Sequence, residues 1–189
     1  MKNSRTPSQT IGPFFKIGLE GLYQGNLVNP ELGMESISIE GQVSDGEGAP
    51  VTDALIELWQ ANRFGKYDHP DDMGDKPLET GLSGYGRVPT DNDGRFRFTT
   101  VKPGPVPYSN DEIQAPHIVV TVFMRGLLRE LITRIYFPDE RLNVDDPVLN
   151  LVDVGRRDTL IAKAHLSKPR TLEWNIILQG KNETVFFDI

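Results

Sequence analysis

The chain contains no cysteine, which excludes thiol nucleophiles, disulfides and thiolate metal sites and leaves any metal to His, Tyr, Asp or Glu. The side chains able to do chemistry are His69, His117 and His165, with Tyr23, Tyr67, Tyr85, Tyr108 and Tyr136. Phenolate oxygen is a hard anionic donor and imidazole a neutral borderline one, so together they suit a hard, highly charged cation. Two stretches place them suggestively. LIELWQANRFGKY runs out of a strand into a loop at Tyr67, and VKPGPVPY and APHIV flank a short loop that ends at His117. The other chemistry-bearing residues read as structural. Glu57 falls on the polar face of its strand, where a solvated or ion-paired carboxylate is expected. Asp71, Asp72 and Asp75 lack the oxygen spacing of a calcium loop and read as a solvated loop. Trp59 and Trp174 read as packing residues of apolar strands, and nothing in the sequence assigns a role to His69 or His165.

The elements that must position these residues are short strands. Ile37, Ile39 and Val43 alternate with Ser38, Glu40 and Gln42, and the same period of two recurs in DALIELWQA, RFRFTTV and TLEWNIILQ. HIVVTVFM and LITRIYF are almost continuously apolar and β-branched, as in strands central to a sandwich. Asp45-Gly46-Glu47-Gly48 and Asn92-Asp93-Gly94 supply turns. Helical periodicity is weak, with one short turn or helix expected over 147–159. The pattern implies a mainly β sandwich with long connecting loops and little helix, divided into an N-terminal arm over 1–35 and a β-sandwich domain over 36–189. Residues 1–35 and 62–90 read as irregular, and loops of that length in a small domain are usually functional or held by a partner.

At 189 residues and 38% apolar content, the chain suffices for one buried core. A formal charge of -7 opposes binding to a phosphate backbone, so nucleic acid is not an expected partner. No stretch approaches the roughly 20 apolar residues of a membrane span, and the amino terminus lacks an apolar signal core, so a cytoplasmic location is expected.

Four segments, GQVSDGEGAPVTDALIELWQAN, TDNDGRFRFTTVKPG, APHIV and RIYFPDE, occur in order over most of the chain and resemble the intradiol ring-cleaving dioxygenases. The resemblance implies a β-sandwich holding non-haem ferric iron on two Tyr and two His ligands, where a chelated catechol becomes open to attack by dioxygen. Laid on this chain, the first Tyr ligand falls on Tyr67 and the first His on His117. The second Tyr falls on Val106 and the second His on Val119, and valine has no donor atom. An Arg that catalytic relatives carry three residues before the His-x-His motif is replaced by Gln114.

Within that family, TPSQTIGPFFKIGL, VFMRGLLRELITRIYF and ILQGKNETVFFDI resemble the iron-free, alpha chain of a two-chain member. That resemblance implies a hetero-oligomer in which Fe(III) is held by a homologous iron-bearing beta subunit and not by this chain. The reaction implied is O2-dependent cleavage of 3,4-dihydroxybenzoate to 3-carboxy-cis,cis-muconate. Thr10, Gly12 and Pro13 would wall the partner's substrate pocket and Arg125 would lie near the substrate, whereas Tyr67 and His117 would be vestiges. Apolar residues in the arm, among them Ile11, Phe14 and Phe15, argue for docking rather than a free tail. Two other readings stay open from the sequence: a self-sufficient dioxygenase with a reduced Tyr67/Tyr108/His117 site, and a non-enzymatic β-sandwich binding module.

Overall fold

Two sheets face each other because each strand buries one side and leaves the other half-covered. The computed structural model describes residues 6–109 and 111–188, so the first five residues of the expected arm, and Ile189 at the far end of the expected sandwich, lie outside it. The first sheet joins β1 (Ile37–Ser44), β4 (Arg95–Thr100), β9 (Lys163–Ala164), β10 (Thr171–Glu173) and β11 (Ile176–Ile177), with β1 antiparallel to β4 and parallel to β10 and β11. The second has the order β3 (Tyr85–Pro89), β2 (Leu55–Trp59), β7 (His117–Phe123), β8 (Leu131–Tyr136), all antiparallel. A separate two-residue hairpin pairs β5 (Val106–Pro107) with β6 (Ile113–Gln114). The fold is thus the expected mainly β sandwich.

The core lies between the sheets. Ile39, Val43, Phe96 and Phe98 from the first meet Ile56, Leu58, Ile118 and Val120 from the second. Each such side chain contributes about 1.5–3 kcal/mol through removal of apolar surface from water. The alternate residues of the second sheet, Glu57, Trp59, Val119, Thr121 and Arg134, are only partly covered and form its outer face. That outer face carries the candidate sites.

Several expectations are corrected by packing. The stretch 62–90 is not irregular throughout, since Tyr85–Pro89 forms β3 against β2. LITRIYF is an edge strand rather than a central one, with its free side capped by single bridges from Ile132 to Phe187 and from Tyr136 to Ile161. The short helical turn expected over 147–159 is present, as two 3-10 segments, Leu149–Leu151 and Val154–Thr159. Residues 23–28 are stitched to both sheets through the bridges Gln24 to Arg87, Asn26 to Thr99 and Val28 to Leu82, and Leu27 enters the core. Before them lies one short helix, α1 (Pro13–Gly18), started by a proline whose missing N–H costs nothing at a helix N-terminus.

TLEWNIILQ is broken into β10 and β11 at Trp174–Asn175. There the Trp174 carbonyl crosses so close to β1 that a Cβ on Gly41 would lie 1.7 Å from its oxygen. Only glycine admits this approach. Gly41→Ala should therefore lower unfolding stability by at least ~2 kcal/mol, an overpacking cost against backbone that cannot move aside. Urea melts of the two chains check this.

Candidate functional site

Tyr67 is placed by a loop that ties itself to its own backbone. At the exit from β2, the Asn62 carboxamide oxygen accepts from the Phe64 and Lys66 amides at 2.9 and 3.0 Å, and its Nδ2 donates to Pro77 at 2.8 Å. Gly65, at φ 77°, packs against the Pro105 carbonyl where a Cβ would not fit, bringing the loop against the segment that leads to Val106. Asp72 closes the turn. Its Oδ2 accepts from the Tyr67 amide at 2.8 Å and its Oδ1 accepts from Lys66 Nζ at 3.1 Å and the Gly74 amide at 3.0 Å. The Tyr67 hydrogen bond, with the others, holds the Asp72 carboxyl below its ordinary range. Asp72 is thus a clasp for the tyrosine rather than a solvated loop acid.

The Tyr67 ring stacks on Trp59 with centroids 5.6 Å apart and planes 12° from parallel, and His69 meets the same indole edge-on at 6.3 Å. These three residues, Val106 and Gln114 line an open cavity of about 590 Å³. The hairpin pairs Val106 directly with Gln114, and across the sheet Trp59 is paired with Val119. His117, two residues before Val119 and on the same face, is buried. The sequence-matched positions Tyr67, Val106, His117, Val119 and Gln114 are therefore gathered into one region. Burial raises the Tyr67 phenol above its ordinary pKa, so its neutral form is favoured. The His117 ring donates from Nδ1 to the Ala115 carbonyl at 2.7 Å, which fixes its neutral tautomer. Burial first, and then the Arg134 guanidinium, push its pKa down to about 4.

These residues do not fit a ferric ion. Val106 and Val119, the positions that the resemblance assigns to two of the donors, carry no donor atom, and Tyr108, whose ring is half exposed, is absent from the cavity wall. Among the described residues, one His/Asp/Glu group has ligand-like spacing, Glu40, His165 and Glu173 on the other sheet. Its His165 Nδ1 accepts from the Ser167 and Lys168 amides, which puts the proton of the neutral ring on Nε2, the atom facing the two carboxylates. That proton occupies the lone pair a metal would need.

A second cluster forms at the other end of β7. The Thr10 hydroxyl accepts from the Gly126 amide at 2.7 Å, and Gly12, Pro13 and Arg125 line one shallow cavity of about 230 Å³. Arg125 Nε donates to Asp53 Oδ2 at 2.5 Å. The arm is anchored on this chain by Lys16, which donates to the Thr52 and Thr90 carbonyls at 2.8 and 2.7 Å, and by Phe15 packed on Phe123 at 5.4 Å. The four residues expected to wall a substrate pocket thus meet, and they do so roughly 20 Å of strand, at ~3.3 Å per residue, from His117.

Sequence reasoning missed four contributors. Trp59 was legible only as packing, although its position two residues from Glu57 puts it on the outer face. Asp53, Asp72 and Arg134 gave no signal, because each acts through a partner far away or in a loop. Glu57 is paired as expected, receiving Arg87 Nη2 at 2.6 Å, and Trp174 is core.

The geometry fits what comparison with known proteins gives. A protein-family model described as "Dioxygenase" matches residues 20–180. Protocatechuate 3,4-dioxygenase alpha chain from Burkholderia cepacia is 42% identical, covering 98% of this chain and 98% of its own length. The beta chain of the same name from that organism is 36% identical over 79% of this chain and 67% of its own. The dioxygenase domain of a carbohydrate-binding fusion from Streptomyces sp. SirexAA-E superposes with a TM-score of 0.61 at 24% identity, covering 95% of this chain and 100% of that one, which supports the fold. The chain belongs to the dioxygenase family, with the intradiol type of β-sandwich.

The buried neutral His117 has a measurable signature. The unfolded ring gains a proton below about 6.5, whereas the folded ring resists until about 4. Stability should be full above the first value, fall by roughly 3 kcal/mol as pH drops through the window, and level off below the second. The depressed Asp72 pKa acts lower, its contribution being lost below the ordinary carboxylate range. Thermal melts against pH should show the His117 slope in the native chain and lose it in His117→Gln.

Proposed function

We propose that this chain is the iron-free, non-catalytic alpha subunit of a protocatechuate 3,4-dioxygenase, completing the substrate pocket of a homologous beta subunit that holds the Fe(III). The observation that carries this reading is the separation of the two clusters along β7. The chain's own relict pocket lacks half its donors, while the arm residues and Arg125 stand together elsewhere, in a position to serve a pocket that is not this chain's. The arm also leaves Phe14 82% and Ile17 55% exposed, apolar surface of the kind a partner subunit covers. The covering partner is the beta subunit, contacted by the N-terminal arm over 1–35, of which residues 23–28 are also tied into this chain's own sheets.

In the assembled enzyme the substrate is 3,4-dihydroxybenzoate, which reacts with O2 by intradiol ring cleavage to 3-carboxy-cis,cis-muconate. Ferric chemistry is the partner's. Thr10, Gly12 and Pro13 supply the wall: the Thr10–Gly126 hydrogen bond fixes the arm over the turn, and the proline narrows its backbone freedom. Arg125 supplies positive charge for the ring carboxylate. Asp53 positions it, because one carboxylate oxygen engages Nε and leaves both terminal nitrogens to form a fork for a second carboxylate.

Metal analysis of the chain purified alone and with its partner tests the division of labour: iron is expected only with the partner, and an iron-loaded lone chain would overturn it. In the assembled enzyme, Arg125→Ala should raise KM for 3,4-dihydroxybenzoate about tenfold, the cost of one charge-assisted contact. Asp53→Asn should do so by a smaller factor. Neither should alter KM for uncharged catechol or iron content. Unchanged kinetics in both variants would remove Arg125 from the pocket.

A further inference from the structure

The helix that begins at Pro13 is too short to hold its own place. α1 has six residues, and its N-cap, Gly12, offers no side-chain bond to the free amides of the first turn. A helix of that length is not stable alone in water, so tertiary contacts must set its position. Phe15 against Phe123 supplies apolar contact, which has little direction. Lys16 supplies the directional contact. Its Nζ donates to the Thr52 carbonyl at 2.8 Å and to the Thr90 carbonyl at 2.7 Å, while its own carbonyl accepts from the Tyr23 hydroxyl at 2.5 Å.

The two accepting carbonyls belong to one rigid unit. Thr52 stands in the turn that leads into β2, and Thr90 directly follows β3. The Thr90 amide donates to the Ala54 carbonyl at 2.9 Å, and the buried Thr90 hydroxyl accepts from the Ala54 amide at 3.0 Å, which laces the two together. Beside Thr52 in the same turn is Asp53, whose carboxylate holds Arg125. The turn Thr52–Asp53 thus grips the arm through a main-chain carbonyl and Arg125 through a side chain.

We propose that Lys16 is a positioning residue, which mounts the wall residues Gly12 and Pro13 on the same turn that aims Arg125, so that both halves of the substrate contact keep a fixed spacing. The inference rests on the pocket role given above to the arm and Arg125. Pro13 and Lys16 are three residues apart and so share one face of the helix, and both line the cavity that Gly12, Asp53 and Arg125 also line. Fixing Lys16 therefore fixes the direction in which Pro13 is presented. An ammonium suits the task. It has three donors and no acceptor, and charge-assisted hydrogen bonds are roughly twice as strong as neutral ones. A neutral side chain of similar length would fill the same space and leave both carbonyls unclaimed.

The test has one arm on the full chain alone and one on the assembled hetero-oligomer. In the chain alone, Lys16→Met should speed amide hydrogen exchange over 12–18 about tenfold, the effect of losing a hydrogen bond to a charged group, while exchange in β7 stays native. Lys16→Arg, which keeps the charge and can donate to both carbonyls, should restore most of the protection. Native exchange in Lys16→Met would overturn the inference. In the assembled enzyme, Lys16→Met should raise KM for 3,4-dihydroxybenzoate about fivefold, with kcat within about twofold of native and iron content unchanged. KM for uncharged catechol should rise as well, because the wall serves both substrates, in contrast to Arg125→Ala. Loss confined to assembly, with native KM in the enzyme that does assemble, would reduce Lys16 to a structural anchor and refute the positioning role. Arg125→Ala in the same assay separates the two claims. Native KM there sinks the pocket reading itself, whereas a raised KM there with a native one in Lys16→Met sinks this inference alone. Should Lys16→Met not assemble, Lys16→Gln, which keeps a neutral donor, is measured in its place against the same outcomes.

Discussion

Pairing of β7 with β2 on one side and β8 on the other fixes where Trp59, His117, Val119 and Arg134 stand. Because side chains alternate, Ile118, Val120 and Val122 must enter the core once His117 and Val119 face outward. A slip of one residue would exchange the two sets, placing an imidazole among aliphatic side chains and exposing three fully buried ones. The core therefore enforces the register, and the register delivers Trp59, Val119 and Arg134 to one rung. The chemistry of the outer face is inherited from packing on the inner one.

Much of this was legible as period-two alternation. The strands around Ile39, Phe96, Leu58 and Val120 announced themselves because one face of each is dry. That positions 106 and 119 are valines, without a donor atom, was legible too and needs no coordinates. Less visible was anything decided by distance across the chain. Arg134 sits in an apolar run and reads as an interruption of it; only its pairing with Val119 and its bond to Gln114 give it meaning. Asp53 and Arg125 are separated by 72 residues, and Asp72 acts on a backbone amide five residues away. Strand β3 was hidden because its Gly and Pro residues disguise a segment whose pairing with β2 supplies the missing stability.

The two ends of β7 show different uses of one scaffold. At the His117 end, Gln114, Arg134, Tyr136 and Asp146 are linked to one another by hydrogen bonds, the guanidinium through Nη1. At the Phe123 end, the Arg125 fork is only half engaged and the arm leaves aromatic surface uncovered. Hydrogen-bonding capacity there is still available to a partner. The contrast is between polar side chains bound to one another beside a cavity and an arm whose apolar surface is uncovered.

The Asn62 and Asp72 clasps have one more implication. In a metalloprotein, a loop carrying a ligand is often ordered by the very bond it makes, and stripping the ion loosens it. Here side-chain oxygens bound to neighbouring amides do that ordering from within the polypeptide. The shape of the tyrosine loop is accordingly written into the polypeptide's own hydrogen bonds.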